Sequence, residues 1–476
     1  MSPGALVVEP EHVQFRPEIE PVVRWIEETP RERILEVAIE HLQNGLSYRE
    51  LLAALFLAGV RNIKPRPVGF KFHAVMVINS AHLLGQSASV DDRLLPLFWA
   101  LDNFKSSQLR DVEEGDWTMG RVDEARISSP SESRAEFVRA MDAWDEAAAD
   151  AATASLCRNA GAAEAMELFW KYGVRDVRNI GHKAIYTMQC WRTLQTVGWQ
   201  HAEPVLRSLA FALLDLQGDT SRAPAGPYES NTKAIRSIRE GWTTGKPDPG
   251  ATKSMLATIR TDSPDNIAGS YVDALNKGVS PDSLWDATIL GASEMLLRAP
   301  GIVTLHAVTA ANALHYAYQA SGVDYTRKLA LLQGATWLTA YRDRVRADLE
   351  RQSAVKLDEL EASAPKSVGS EAIEEILAEA GNDRTSAARK ALGYLKTGSV
   401  DDIFAAARRS IFRKGRDSHD YKYGAAIWEE AELLSSPTLR PNVVASMLAR
   451  IPAASTEDSP LMRKAIEASR KVVAVS

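Results

Sequence analysis

Cysteine is nearly absent. Cys157 and Cys190 are the only two in 476 residues, which excludes a disulfide framework. No apolar run approaches the roughly 18 residues of a membrane span. Basic charge is not in excess: 62 acidic residues against 56 basic ones give a net charge of −6. That argues against non-specific nucleic-acid binding, which needs a basic face. Alternating runs rich in Val, Ile and Thr are scarce, so no sheet is expected. The opening stretch MSPGALVVEPEH lacks the basic region followed by an apolar core that marks a secretory signal. With 45% apolar and 25% charged residues, the composition is that of a soluble globular chain, and the expected setting is a reducing cytoplasm.

What is present is helical almost throughout. EEAAADAATASLCRNAGAAEAMELFW and EAIEEILAEAGNDRTSAARKALGYL are rich in Ala, Leu and Glu, the strong helix formers. Leu51, Leu52, Leu55 and Val60 recur at helical spacing. Two Gly-, Pro- and Ser-rich stretches read as loops: SRAPAGPYES, followed after a short helical piece by TTGKPDPGATKS, and ASAPKSVGS from Ala362. The charged run RDRVRADLERQSAVKLDELEAS before the latter reads as a solvated helix.

Four segments open alike: NGLSYRELLAALFLAG, NAGAAEAMELFWKYG, KGVSPDSLWDATILGA and KTGSVDDIFAAARRSI. Ser47, Ser280 and Ser399 stand where an N-cap would. Each opening is followed by a histidine heading a further apolar helix: His73, His182, His306 and His419. Nine positions on stand His82, Trp191, His315 and Trp428. Ser47 to His73 and Ser280 to His306 each span 26 residues, while Ala162 to His182 and Ser399 to His419 each span 20. The alternation implies a duplicated half. One all-α body of four pseudo-repeats is expected around a central site, rather than the three domains that length alone suggests. The pseudo-halves run over about 35–220 and 265–455 and are joined by a loop-rich segment, 221–265.

A lone histidine on an apolar helix is most often a core residue. Four at equivalent repeat positions are harder to dismiss, because packing alone would tolerate Leu or Met in some of them. At 100° per residue, plus nine lies on the opposite face, so His82 and His315 point away while the four leading histidines can converge. Neutral imidazoles suit iron, copper, zinc or nickel, and bundles build metal sites by one ligand per helix. Lys422 lies three after His419, on the same face, where its counterparts are Met76, Ile185 and Thr309. Two readings stand: a solvent-facing lysine at a frayed helix start, or a buried amine of lowered pKa able to take up carbon dioxide as a carbamate. Four imidazoles and one carbamate oxygen would leave one open position on an octahedral ion, suited to dioxygen. The plus-four residues Val77, Tyr186, Ala310 and Tyr423 are expected to line the same site. Tyr186 and Tyr423 are candidate hydrogen-bond donors to substrate, with aromatic packing as the alternative. Lys183 and Asp420 adjoin ligands in sequence and are candidates for orienting them.

The histidine helices, notably TLHAVTAANAL, and the H-D-x-K pattern of SHDYKYGAAIW resemble the questin oxidase-like family over roughly residues 35–455. The resemblance implies a non-haem iron oxygenase, with Fe(II) held by four histidines and a carboxylated lysine. These fall by position on His73, His182, His306, His419 and Lys422. It further implies dioxygen and a small organic, aromatic or quinone-like substrate, with oxygen insertion of Baeyer–Villiger type or carbon–carbon cleavage. TLHAVTAANALHYAY and its surroundings resemble a bacterial branch rather than a fungal polyketide enzyme.

Two alternatives stand beside it. His419–Asp420 is an HD dipeptide, as in metal-dependent phosphohydrolases, although no matching upstream arrangement is present. A metal-free helical repeat scaffold that binds partners is the other. EGWTTGKPD is one residue short of a phosphate loop and has Pro247 where Ser or Thr should stand. Cys190 reads as core.

Overall fold

The computed structural model describes residues 11–473 apart from 220, 225 and 353. Most of the opening stretch read above for a secretory signal lies outside them. Among the described residues every regular element is a helix, and the only β-type contacts are two isolated bridges. No helix among them is long and apolar enough to cross a membrane.

The caps expected from sequence form. Ser47 accepts from the Glu50 amide in a capping box at the start of Tyr48–Asn62. Ser280 caps Pro281–Arg298 and Ser399 caps Val400–Lys414, each accepting from an amide two residues on. A cap of this kind stabilises a helix by about 1 kcal/mol. These helices, with Ala162–Gly173, feed the chain toward the four histidines.

Each histidine stands in the first or second turn of the next helix. The segments are His73–Met76 continued as Ile78–Gln86, then His182–Val197, Ile302–Ala320 and Ser418–Leu433. The first is broken at Val77 rather than continuous. The four pack in a closed ring: Ile78–Gln86 on His182–Val197, that on Ile302–Ala320, that on Ser418–Leu433, and that back on Ile78–Gln86. Each also packs against the helix that precedes it. Buried apolar side chains from Val13 to Ala465 form one cluster around this ring. Hydrophobic burial at about 25 cal/mol per Å² therefore holds the four helix starts at fixed distances from one another.

Two expectations are corrected. Within 221–265 the short helical piece between the loops is Tyr228–Ala234, but the second loop stretch is cut by a helix, Pro249–Thr261, begun by an Asp248 N-cap and a proline at its first position. The charged run is not one solvated helix. Asp324–Arg344 ends within it, Arg346–Arg351 adds a short piece, and Leu357 is buried.

Candidate metal centre

His73, His182, His306 and His419 meet at the open end of the ring, and their ligand nitrogens lie within 4.8 Å of one another. Ring centroids run 4.7 Å from His73 to His182, 4.4 Å to His306, 5.1 Å to His419 and 4.5 Å back to His73. The Nε2 atoms of His73 and His182 are 2.9 Å apart, and those of His182 and His306 are 2.8 Å apart.

The other ring nitrogens fix the tautomers. Nδ1 of His73 lies 2.8 Å from the Phe70 carbonyl, that of His182 2.6 Å from the Asn179 carbonyl, and that of His306 2.7 Å from the Ile302 carbonyl. A carbonyl oxygen only accepts, so each Nδ1 carries the proton and each Nε2 presents a lone pair. His419 Nδ1 donates to the Asp417 carboxylate at 2.7 Å, and its buried Nε2 has no hydrogen-bond partner. Burial, and with it the nearby Lys422 charge, holds the His73, His182 and His306 imidazoles well below their ordinary value. His419 is also lowered by burial, against the pull of Asp417. Four neutral imidazoles thus aim lone pairs at one point with no proton between them. A cation is the natural complement of such a donor set. Two metal–nitrogen bonds of about 2.1 Å at right angles would leave their ends about 3.0 Å apart, close to the spacings seen.

Unusual backbone delivers two of the rings. Asn179 (φ 58°), Ile180 (φ 49°) and Gly181 (φ 83°) form a left-handed turn before His182. A Cβ on Gly181 would come within 2.7 Å of the Ala310 side chain, so glycine is required there. Phe70 is also left-handed (φ 46°) and follows Gly69 (φ 135°). Such conformations cost on the order of 1–3 kcal/mol each and persist only where the surroundings enforce them. At Asn179 they do. Its side chain donates to Asp215 at 2.9 Å, Lys183 donates to Asp176 at 2.9 Å and to the Asp215 carbonyl at 2.6 Å, and Arg178 joins Asp176 at 2.8 Å. Asp176 and Lys183 are fully buried. Lys183 is therefore the pin of the turn that presents the Asn179 carbonyl to His182. Asp176→Ala would leave that lysine buried and uncompensated, and is expected to cost about 3–5 kcal/mol, read as a shifted midpoint in urea unfolding.

Lys422 is buried at 2% exposure, and its Nζ has no hydrogen-bond partner, which removes the solvent-facing reading. Burial lowers its amine to about 7, although Asp417 pulls the other way. It lines a void of about 10 Å³ beneath the histidine layer together with Ile185 and Thr309, which stand three after His182 and His306. That volume is of the order of one water.

The two tyrosines do not line the open side of the site. Tyr186 donates to Ser208 Oγ at 3.0 Å and Tyr423 to the Ser446 carbonyl at 3.2 Å, both fully buried. Burial raises both phenols. Asp420 is not a ligand either. It accepts from the Arg416 and Asp417 amides at 3.2 and 3.3 Å as part of the helix cap, and it meets Arg450. Asp417 is the acidic residue that matters. Its N-cap carboxylate binds both the His419 amide and ring; burial opposes its charge, yet these bonds and Arg450 hold it well below the usual carboxylate range. Sequence reasoning passed over it, although an Asp two before a candidate ligand histidine was a signal in view.

The plus-nine residues lie on the far face, as the helical wheel requires. His82 meets the Tyr48 hydroxyl at 3.1 Å, and His315 meets Glu430 at 2.7 Å while stacking on Trp285. Trp191 packs on Trp199, and Trp428 stacks on Phe404. Cys190 is a free, buried thiol.

Above the histidines opens a cleft of about 630 Å³, whose floor is the four imidazoles. Phe70, Val177, Ile180 and Ile302 supply apolar walls, and Arg344, Arg416 and Asp417 stand among the polar ones. No protein-family model, curated protein or solved structure matches this chain.

Proposed function

We propose that this chain is a non-haem iron oxygenase, with Fe(II) held by the Nε2 atoms of His73, His182, His306 and His419 and by a carbamate on Lys422. Dioxygen and a small organic substrate, aromatic or quinone-like, meet in the cleft. The observation that carries the reading is the convergence of four neutral imidazole lone pairs whose protons are tied elsewhere. Imidazole suits several transition ions, and the resemblance to the questin oxidase-like family supports iron and the oxygenase class. Iron bound there would supply the one-electron chemistry through which dioxygen reacts with an organic molecule.

The protein's own residues do the rest. The Phe70, Asn179 and Ile302 carbonyls and the Asp417 carboxylate hold the imidazoles in one tautomer and orientation. Lys422 sits beneath them, where an ammonium facing a dication would be repelled. Its neutral amine can form an N–C bond to carbon dioxide and release one proton, converting repulsion into an anionic oxygen donor. The apolar walls give a flat substrate a surface to lie against, and the substrate is carried toward oxygen insertion or carbon–carbon cleavage. A duplicated half, contributing His73 and His182 and then His306 and His419, belongs to the same proposal, as does a cytoplasmic setting.

The HD-type hydrolase reading lacks its carboxylate ligand, because Asp420 is spent on the helix cap. A metal-free scaffold would leave the facing Nε2 atoms without a complement.

Iron-loaded protein is expected to take up oxygen, measured by electrode, with at least one of a panel of hydroxylated quinones and phenols. Metal binding without oxygen uptake across the panel would remove the oxygenase and keep the metal centre. Asp417→Asn removes the charge that His419 leans on, and metal affinity is expected to fall about 10–100-fold in a competitive chelator titration. Unchanged affinity would show that the His419–Asp417 bond is not part of the centre.

A further inference from the structure

The cleft above the histidines carries a charge pattern that metal binding does not use. Four arginines line it: Arg110, Arg178, Arg344 and Arg416. Two are engaged, Arg178 with Asp176 and Asp219 at 2.8 Å each, and Arg110 with Glu114 at 3.6 Å. Arg344 and Arg416 are solvent-exposed, and among the described residues neither side chain has an ion pair or a hydrogen bond. They come from different parts of the chain, the end of Asp324–Arg344 and the turn before Ser418–Leu433. The cleft's one carboxylate, Asp417, is already held by His419 and Arg450. Beneath lie the N-terminal turns of three helices of 16 to 19 residues. Each N-terminus adds about half a positive charge, and a metal ion would add more. The free guanidinium groups and the helix N-termini therefore bias the cleft toward positive potential, with Asp417 its one carboxylate.

The walls add a second, independent observation. Phe70 and Ile180 are both left-handed and both line the cleft. For a β-branched residue such as Ile180 this is a genuine outlier. Phe70 is 69% exposed and Ile302 54% exposed. Backbone strain and solvent-exposed apolar surface thus line one cleft together with two free guanidinium groups.

We infer that the cleft selects an organic anion on a flat apolar body, with Arg344 and Arg416 recognising the charged group and Phe70, Ile180 and Ile302 holding the apolar part. This rests on the cleft being the substrate site of the oxygenase proposed above. Guanidinium groups bind planar oxyanions by paired hydrogen bonds. A carboxylate and an ionised enol or phenol share that chemistry, so both are tested.

The probes are naphthoate against neutral naphthamide, and lawsone, an enol ionised at neutral pH, against its neutral methyl ether. Binding is followed by calorimetry on the full chain, metal-free and metal-loaded, at neutral pH and low salt. The metal-free protein is expected to bind at least one anion about tenfold or more tighter than its neutral partner, the size of a charge-assisted hydrogen bond. The pair that shows the preference identifies the anion class. In the Arg344→Gln/Arg416→Gln double variant, whose substitutions lie on the surface and spare the core, the preference should shrink to within about twofold. Equal affinity within both pairs, no detectable anion binding at millimolar concentration, or a preference that survives the double substitution overturns the inference. The metal-free arm separates it from the metal reading. Anion preference in a chain that never retains metal supports the arginines and sinks the iron, whereas retained iron without anion preference does the reverse.

Discussion

His306→Ala is expected to empty the metal centre while leaving the fold intact. Protein purified without chelators or a histidine-rich tag should carry about one iron per chain by elemental analysis, and the variant less than about a tenth of that. The loss should exceed the 10–100-fold typical of removing a residue that merely orients a ligand, because a donor atom itself is gone. His306 Nε2 faces His182 at 2.8 Å, so its removal takes one of the converging donors from the set. The fold should survive. The lost bond to the Ile302 carbonyl lies in the first turn of a helix that keeps its buried Leu, Val and Ala contacts and its Asn312 and His315 bonds to Glu430, and without metal the variant also loses a lone-pair confrontation. Helical circular dichroism should be unchanged. No metal in either protein would return the histidines to the core and favour the scaffold reading.

Lys422→Ala is expected to abolish turnover, by about a hundredfold or more, and Lys422→Arg is expected not to restore it. An arginine keeps the charge and much of the length, yet its guanidinium stays protonated and cannot form a carbamate. If the lysine served only to fill space, either variant would retain activity, so full activity in Lys422→Ala removes the carbamate. A second readout does not depend on turnover. Isotopically labelled carbon dioxide should give a carbamate resonance in the native protein that is missing from the alanine variant. Stability separates the roles further. The amine is buried with no hydrogen-bond partner, which costs free energy when the centre is metal-free. Lys422→Met should therefore unfold no earlier than native protein when both are stripped of metal.

The plus-four tyrosines show where a one-dimensional reading stops. On a helical wheel Tyr186 and Tyr423 lie only about 40° from their histidines. The histidines, however, stand at helix starts that open onto the cleft. Four residues on is about 6 Å further along the axis, inside the bundle, where Ser208 and the Ser446 carbonyl take the two hydroxyls. The same displacement accounts for Lys422: three residues on places it in the layer beneath the imidazoles, beside the small void and away from the large cleft. Angle was legible in the sequence, and depth was not.

Apolar spacing at three and four, with scarce alternating runs, was enough to determine an all-helical chain, because each pattern commits the backbone to one period. The serine caps marked where three of the helices begin, and plus nine separated the converging histidines from His82 and His315 by rotation alone. Tertiary structure decided what gives those histidines their chemistry. The carbonyls that fix two of the tautomers depend on left-handed turns at Phe70 and at Asn179–Ile180, conformations that local preference disfavours. Only packing and the buried Asp176–Lys183–Asp215 network can enforce them. The free arginines and the apolar rim likewise come from segments up to 346 residues apart, Phe70 and Arg416 at the extremes. No local pattern announces them, because the potential and shape of a cleft are properties of charges and surfaces brought together in space.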